Sequence, residues 1–372
     1  MTRPRISPRQ LWVVVLGSLL TTAFYTFPRA AAMATSTAAP WAILLSGGLG
    51  FLLFWPVVAK LARHPGKNLV DLAVIAGGRP LAIATALLLG GFFIGSAGIS
   101  VRQVSEMVVT ALYPHTPQTF AMTSLVAVGA LGAAASPGGA IWVGSLFVWP
   151  MLFAIGVVCV GNLGWGQFRN VIPMSGHGLL PVALQLLPLT SYLDPLVYMA
   201  VFCRFIVTPR HLVRQAAYAV GIAVAAWAAV ILLYQMVFPL PGGLDVQFPV
   251  FDMSRLVQGG RYLERIDALW VFSWTFGSAS RLSIALLATA LLFQDAFGLP
   301  DHRRAVLPLT TAILSFALFP SNQAGAVNFE TYDLRQWGFV LVLGLPLAIA
   351  VLARIRQKKA WQPPETGGNL DA

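Results

Sequence analysis

The chain has 372 residues, 57% of them hydrophobic and only 10% charged, with a mean hydropathy of +0.75 and a net charge of +11. Soluble domains carry about a quarter of their residues as charges, so a soluble globular protein is excluded and a polytopic membrane protein remains. The basic excess sits in short clusters between apolar runs, which suits lipid headgroups and membrane topology rather than nucleic acid.

In chain order, the first apolar run covers about 10–33 and follows Arg3, Arg5 and Arg9. It passes through Phe27-Pro28-Arg29 with no small-residue cleavage site, so it reads as a retained span and not a signal peptide. About 20 mostly apolar residues are needed to cross a bilayer. Nine further runs qualify, near 41–60, 80–105, 118–136, 140–160, 178–202, 212–238, 267–293, 304–320 and 335–353. Only Ser136-Pro137-Gly138-Gly139 separates the fourth from the fifth, and Pro-Gly-Gly is a tight-turn signal. The expected architecture is an all-α integral membrane protein of ten transmembrane helices in one domain, residues 1–360, with a polar tail at 361–372. With the N-terminus inside, one side receives Arg3, Arg5, Arg9, Lys60, Arg63, Lys67, Arg79, Arg204, Arg210, Arg214, Arg303, Arg304, Arg354, Arg356, Lys358 and Lys359. That is most of the 24 basic residues, and it predicts cytoplasmic termini. The longest outer connection, 240–266, is expected to be ordered and to contain a short helix on the membrane face.

Chemistry-bearing motifs are sparse. Cys159 and Cys203 lie in apolar stretches and make neither a disulfide framework nor a zinc site. Pro65-Gly66-Lys67-Asn68 lacks the upstream glycine and the Ser/Thr of a phosphate loop. The five His fall in loops or at helix ends without a metalloprotease pattern or a catalytic triad, so no enzyme and no cofactor is expected.

Interruptions of the spans are more informative. Ten spans divide into five plus five, about 10–160 and 178–354, and inverted-repeat transporters place their site where corresponding spans are broken. The first span carries Gly17-Ser18 and Thr21-Thr22; the sixth carries Pro181, Pro188 and Pro195, with Thr190-Ser191-Tyr192 and Asp194 between the last two. Proline removes a backbone donor, and freed carbonyls in a membrane are tolerated where protein or a cavity satisfies them. Both spans are expected to unwind around a solute site, an ordinary proline kink being the alternative. Arg281 lies some 14 residues into the eighth span and Asp194 at similar depth in the sixth, so Arg281 is expected to pair with Asp194 or to face a central cavity. A purely structural ion pair is the alternative. Arg102 and Glu106 read as a helix-surface pair, and Gly90, Gly91, Gly95, Ser96 and Gly98 as close helix packing or ligand lining.

Several stretches also carry a resemblance: ISPRQLWVVV at 6–15, HPGKNLVDL at 64–72, VRQVSEMVVTALYPHTP at 101–117, NVIPMSGHGLLP at 170–181, FPVFDMSRLVQGGRYLERIDALWVFSW at 248–274 and FPSNQ at 319–323. With them the chain resembles the endospore germination permeases, the B subunits of nutrient germinant receptors, in the amino acid–polyamine–organocation superfamily. The resemblance implies a LeuT-like fold of two inverted five-helix repeats, with ligand held at broken spans 1 and 6 and flanked by spans 3 and 8. It implies a small nutrient, an amino acid first, as ligand, the receptor's A and C subunits and membrane lipid as partners, and the spore inner membrane as location. A mid-span basic residue such as Arg281 is usual in these proteins. The fifth span has no Lys or acidic residue, which argues against proton coupling. The expected ligand-binding residues are Gly17, Ser18, Thr21 and Thr22 in span 1, Thr190, Ser191 and Asp194 in span 6, and Ser96, Ser278 and Arg281 in spans 3 and 8. An amino acid permease would use the same cavity, and an ion or water pathway opened by partner subunits is a further alternative.

Overall fold

In hydrocarbon every backbone amide and carbonyl must find a partner within the protein, which leaves helices and closed barrels as spanning structures. The computed structural model describes residues 6–206, 209–257 and 266–360, and it is helical throughout these apart from loops and one parallel bridge between Ile6 and Ile206. Part of the 248–274 stretch and the tail at 361–372 lie outside the described residues.

The helices run α1 (Pro8–Ala23), α2 (Phe27–Thr35), α3 (Ala39–Ala62), α4 (Leu69–Met107), α5 (Gln118–Ala134), α6 (Pro137–Leu146) and α7 (Val148–Gly161). They continue as α8 (Leu179–Leu189), α9 (Pro195–Phe202), α10 (Leu212–Val237), α11 (Pro249–Leu256), α12 (Ile266–Phe297), α13 (Arg303–Leu318) and α14 (Gln323–Asn328). The last are α15 (Gln336–Phe339) and α16 (Leu345–Ala360), with π-helical turns at Phe329–Arg335 and Val340–Gly344 keeping α14, α15 and α16 on one path. Each of the ten apolar runs falls on one or two of these helices. By length and composition six stretches are able to cross a membrane, and the bent pair Leu179–Leu193 and Pro195–Phe205, angled at 43°, makes a seventh. Three others, α1, α5 and α13, are 16 or 17 residues long.

Local chemistry sets the boundaries. Ser7 caps α1 while Gln10 reaches back to the Ser7 amide at 3.2 Å, and Asn68 and Asp71 make the same reciprocal box at the start of α4. Gly78 has φ 77°, a left-handed conformation that suits glycine, and it divides a short leading segment of α4 from the long helix starting at Pro80. Parts of the stretches that carried the resemblance join elements. Asn68 also donates to Asp295 at 2.6 Å, and Asp295 pairs with Arg204, which ties the starts and ends of three helices together. In the 170–181 stretch the carbonyls of Pro173 and Met174 accept from Thr37 and from the Trp41 indole, and a Cβ on Gly176 would sit 2.3 Å from the Thr35 carbonyl. The short helix expected in the 240–266 connection is α11, held by Asn162, which donates to the Met253 carbonyl at 2.9 Å.

The core is centred on α9, every residue of which is buried, with α1, α4 and α12 packed around it. Helix approach depends on small residues. A Cβ on Gly98 would lie 2.9 Å from Phe316 Cβ and 3.1 Å from the Ile313 carbonyl, whereas one on Gly91 would meet nothing within 4 Å. Gly98→Ala is expected to lower the melting midpoint in detergent by the equivalent of about 1–3 kcal/mol. Gly91→Ala should leave it unchanged or raise it slightly, glycine being about 1 kcal/mol poorer than alanine inside a helix.

Candidate ligand site

Two helix breaks face one another. In the sixth run α8 ends at Leu189, Thr190–Leu193 form a tighter turn, and α9 restarts at Pro195, as the two prolines predict. The break in the first run comes later than expected. Gly17, Ser18, Thr21 and Thr22 stay helical, with the hydroxyls of Ser18 and Thr21 satisfied by the carbonyls of Val14 (3.0 Å) and Gly17 (2.8 Å) of the preceding turn. The chain leaves the helix at Phe24-Tyr25-Thr26 and re-enters at Phe27, with Pro28 in the first turn of α2, where a missing amide is tolerated.

Four buried charges gather at these breaks. Arg281 from α12 donates to the Ser18 carbonyl at 2.8 Å, to the Thr22 hydroxyl, and to Asp194 Oδ1 at 3.5 Å. Arg335, from the π-helical turn, donates to the same Oδ1 at 3.1 Å, to the Ser191 carbonyl at 2.9 Å and to Ser96 Oγ at 2.8 Å, and its Nε faces Glu330 at 3.4 Å. Glu330 accepts a further bond from Gln103 at 2.6 Å, and Asp194 one from the Tyr198 hydroxyl at 3.2 Å. The Arg335 guanidinium also stacks over the Tyr192 ring, 4.5 Å from its centroid. Asp194 is fully buried and the two arginines are 5% and 3% exposed. Two cations and two anions cancel, as a dry interior demands.

Beside Arg281 lies a small cavity of about 10 Å³, room for one water, lined among others by Tyr25, Ser96, Ser100, Tyr198 and Ser278. A wider pocket of about 250 Å³ opens on the other side of the cluster between α2, α8 and the π-helical turn, with Tyr192 and Arg335 at its floor. The helix breaks, the arginines and the two spaces therefore form one continuous feature.

Of the ten residues expected at the site, Ser18, Thr22, Ser96, Ser191, Asp194 and Arg281 belong to the charge cluster, and Ser278 lines the small cavity with its hydroxyl unpartnered. Three point elsewhere. A Cβ on Gly17 would press on Val148, Thr21 bonds within its own helix, and Thr190 bonds to the Leu187 carbonyl and lies against Gly50 of α3. Arg102 is buried, not a surface group: it reaches the Pro320 carbonyl at 2.9 Å as well as Glu106 at 3.8 Å. Gly90 and Gly98 pack against Phe293 and Phe316 and serve helix approach.

Arg335, Glu330 and Gln103 are central and were not singled out in the sequence. Arg335 stands at the boundary of the tenth run because Glu330, Asp333 and Arg335 crowd into seven residues that look like a loop. In a π-helix five residues separate groups on one face, so Glu330 and Arg335 both point inward while Asp333 is exposed. That i,i+5 pairing of opposite charges was the available signal.

A sequence profile described as "Spore germination protein" matches residues 5–325. The chain belongs to that family. Among proteins similar to it, Spore germination protein YndE of Bacillus subtilis is 20% identical, with 95% of this chain and 98% of that one covered. Spore germination protein A2 of the same organism is 22% identical over 93% of this chain and 94% of its own length. Among solved structures, MhsT in complex with L-phenylalanine superposes with a TM-score of 0.63 at 13% identity, covering 97% of this chain and all of that one. Mhp1, a nucleobase-cation-symport transporter, superposes with a TM-score of 0.64 at 14% identity over 96% and 94%. The resemblance drawn from the motifs is thus borne out, and the fold of this germination protein is that of LeuT-type transporters.

Asp194→Asn is expected to destabilise the protein by about 3–5 kcal/mol, since it leaves the buried Arg281 without a carboxylate and Arg335 with Glu330 alone. Ser191→Ala, which removes a hydroxyl that has no partner within the protein, should cost well under that. Melting of both variants in detergent checks the pair.

Proposed function

We propose that this chain is the membrane-embedded, ligand-binding subunit of a nutrient germinant receptor. It would cross the spore inner membrane ten times as two inverted repeats, about 10–160 and 178–354, with both termini cytoplasmic. It would hold a small nutrient, an amino acid in first place, between the breaks of the first and sixth spans. The observation that carries the reading is the neutral cluster of Arg281, Arg335, Asp194 and Glu330 at the point where the two breaks meet. A zwitterion can exchange into such a cluster, its carboxylate taking an arginine and its ammonium a carboxylate, and leave no net charge buried. An anion or cation of similar size would leave one charge uncompensated. The proposed ligand groups are Arg281, Asp194, Ser96 and Ser278, with backbone at Ser18 and Ser191 and the Thr22 hydroxyl.

The cavity of about 10 Å³ beside Arg281 cannot hold an amino acid, so binding requires the cluster to open toward the larger pocket. That requirement makes binding a signal: a ligand that fits only the open arrangement shifts the population toward it, and the companion A and C subunits of the receptor would respond to the shift. Support from the comparisons is of two kinds. The similar curated proteins are germination proteins, and one transporter of the same fold was solved with an amino acid bound.

Purified protein in detergent is expected to melt higher with one or a few amino acids, by the equivalent of about 2.7 kcal/mol at one hundred times the dissociation constant. Sugars and nucleosides should have no effect, and Arg281→Gln should abolish the shift. A shift produced only by a sugar or nucleoside would overturn the zwitterion argument. Reconstituted in liposomes, the sensor is expected to bind without uptake; net uptake would assign the cavity to a carrier instead.

A further inference from the structure

A second site lies at the end of the bundle that carries the basic clusters, away from the charge network. There α3 and α16 diverge around a cleft of about 360 Å³ lined by Pro56, Ala59, Lys60, Arg63, His64, Ala350, Val351 and Arg354. The small side chains of Pro56, Ala59 and Ala350 keep its floor open, and the long basic ones stand at its rim. No acidic residue lines it. Among the described residues no carboxylate lies within ion-pair reach of Arg63 or Arg354, although both are exposed. His64 Nδ1 donates to the Lys60 carbonyl at 2.8 Å, a carbonyl being only an acceptor, which holds the ring beside the cleft.

Concentrated positive charge at a membrane surface attracts anionic headgroups. What separates a lipid from any other anion here is the surface that continues from the cleft. Toward the membrane interior from the basic rim, Leu52 and Trp55 of α3 and Val351 and Leu352 of α16 are exposed. These are the same two helices that frame the basic rim, and α3 and α16 both belong to membrane-crossing stretches. A diacyl lipid would place its phosphodiester among Lys60, Arg63 and Arg354 and lay its tails along this apolar strip, with the Trp55 ring near headgroup depth where such rings favour the interface.

We propose that the α3–α16 cleft is a binding site for one anionic phospholipid, which bridges the second and tenth spans at their basic ends. The tenth span also carries Arg335, so the lipid would brace the helix that holds the charge cluster.

The test uses the full-length chain equilibrated in detergent with equal amounts of phosphatidylglycerol and phosphatidylcholine, then stripped by dilution, with retained lipid counted by native mass spectrometry. The wild type is expected to retain one phosphatidylglycerol in preference to phosphatidylcholine by about fivefold or more, the worth of one basic group near a membrane surface. The double variant R63Q/R354Q should fall to near parity, while Arg169→Gln, an exposed arginine outside this cleft, should retain the preference. So that misfolding of the double variant does not decide the outcome, wild-type melting is measured as well, and phosphatidylglycerol vesicles should raise the midpoint over phosphatidylcholine vesicles. Equal retention by the wild type, or an unchanged preference in R63Q/R354Q, overturns the proposal and leaves the cleft to an acidic segment of a protein partner. Stabilisation by millimolar inorganic phosphate alone, equal to that by phosphatidylglycerol, would assign the site to a free anion and overturn it too.

Discussion

Two guanidinium groups sit in the interior of this bundle with almost no water around them, and an isolated ion there would cost several kcal/mol. Each therefore needs a carboxylate and a set of carbonyl or hydroxyl acceptors, and a regular helix has no backbone acceptors to spare. The interruption at Thr190–Leu193 supplies such an oxygen, and in α1, still helical at this depth, the Ser18 carbonyl takes Arg281 as an additional partner. The carbonyls of Ser18 and Ser191 are taken by Arg281 and Arg335, and Asp194 is shared between them. The break in the sixth run and Arg335 thus satisfy one another, while Arg281 is held by α1 and by the shared Asp194.

The remaining architecture brings these groups together. The π-helical turn at Phe329–Arg335 aligns Glu330 with Arg335 and delivers both to the centre. Gly338, one turn further on, lets that helix close on the break; a Cβ there would meet Phe92 at 2.7 Å and Ser191 Cβ at 3.1 Å. Ser96 projects from the glycine-rich face of α4 to accept from Arg335. The result separates a space too small for a solute from a pocket large enough for one, with Arg335, Asp194 and Tyr192 between them.

Much of this was legible in the sequence for specific reasons. Bilayer thickness imposes the length of the apolar runs, so the runs mark the helices. Pro188 and Pro195 act locally, so the sixth run breaks where they stand. Arg281 stood out because a charge inside an apolar run has few places to go. The first break was misjudged because Ser18 and Thr21 satisfy themselves within the helix, while the actual break at Phe24-Tyr25 is aromatic and carries no polar mark. Arg335 and Glu330 were hidden by Asp333, whose exposure on the opposite face of a π-helical turn gave the segment the look of a loop. The motifs pointed to the right family, yet single residues of them, such as Asn68 against Asp295 and Met253 against Asn162, serve to join elements, and they say little about ligand chemistry.

The proposed role of the four-charge cluster is to hold the wider pocket closed against the core. It is tested most directly by the distance between spin labels at Met33→Cys and Tyr332→Cys, across that pocket, with Cys159 and Cys203 replaced by alanine. With the cluster intact the account predicts one narrow distance distribution, and with Arg335→Ala an additional longer population. The same distribution in both proteins would contradict it, because the cluster would then be an ornament of the fold and not the latch on its cavity.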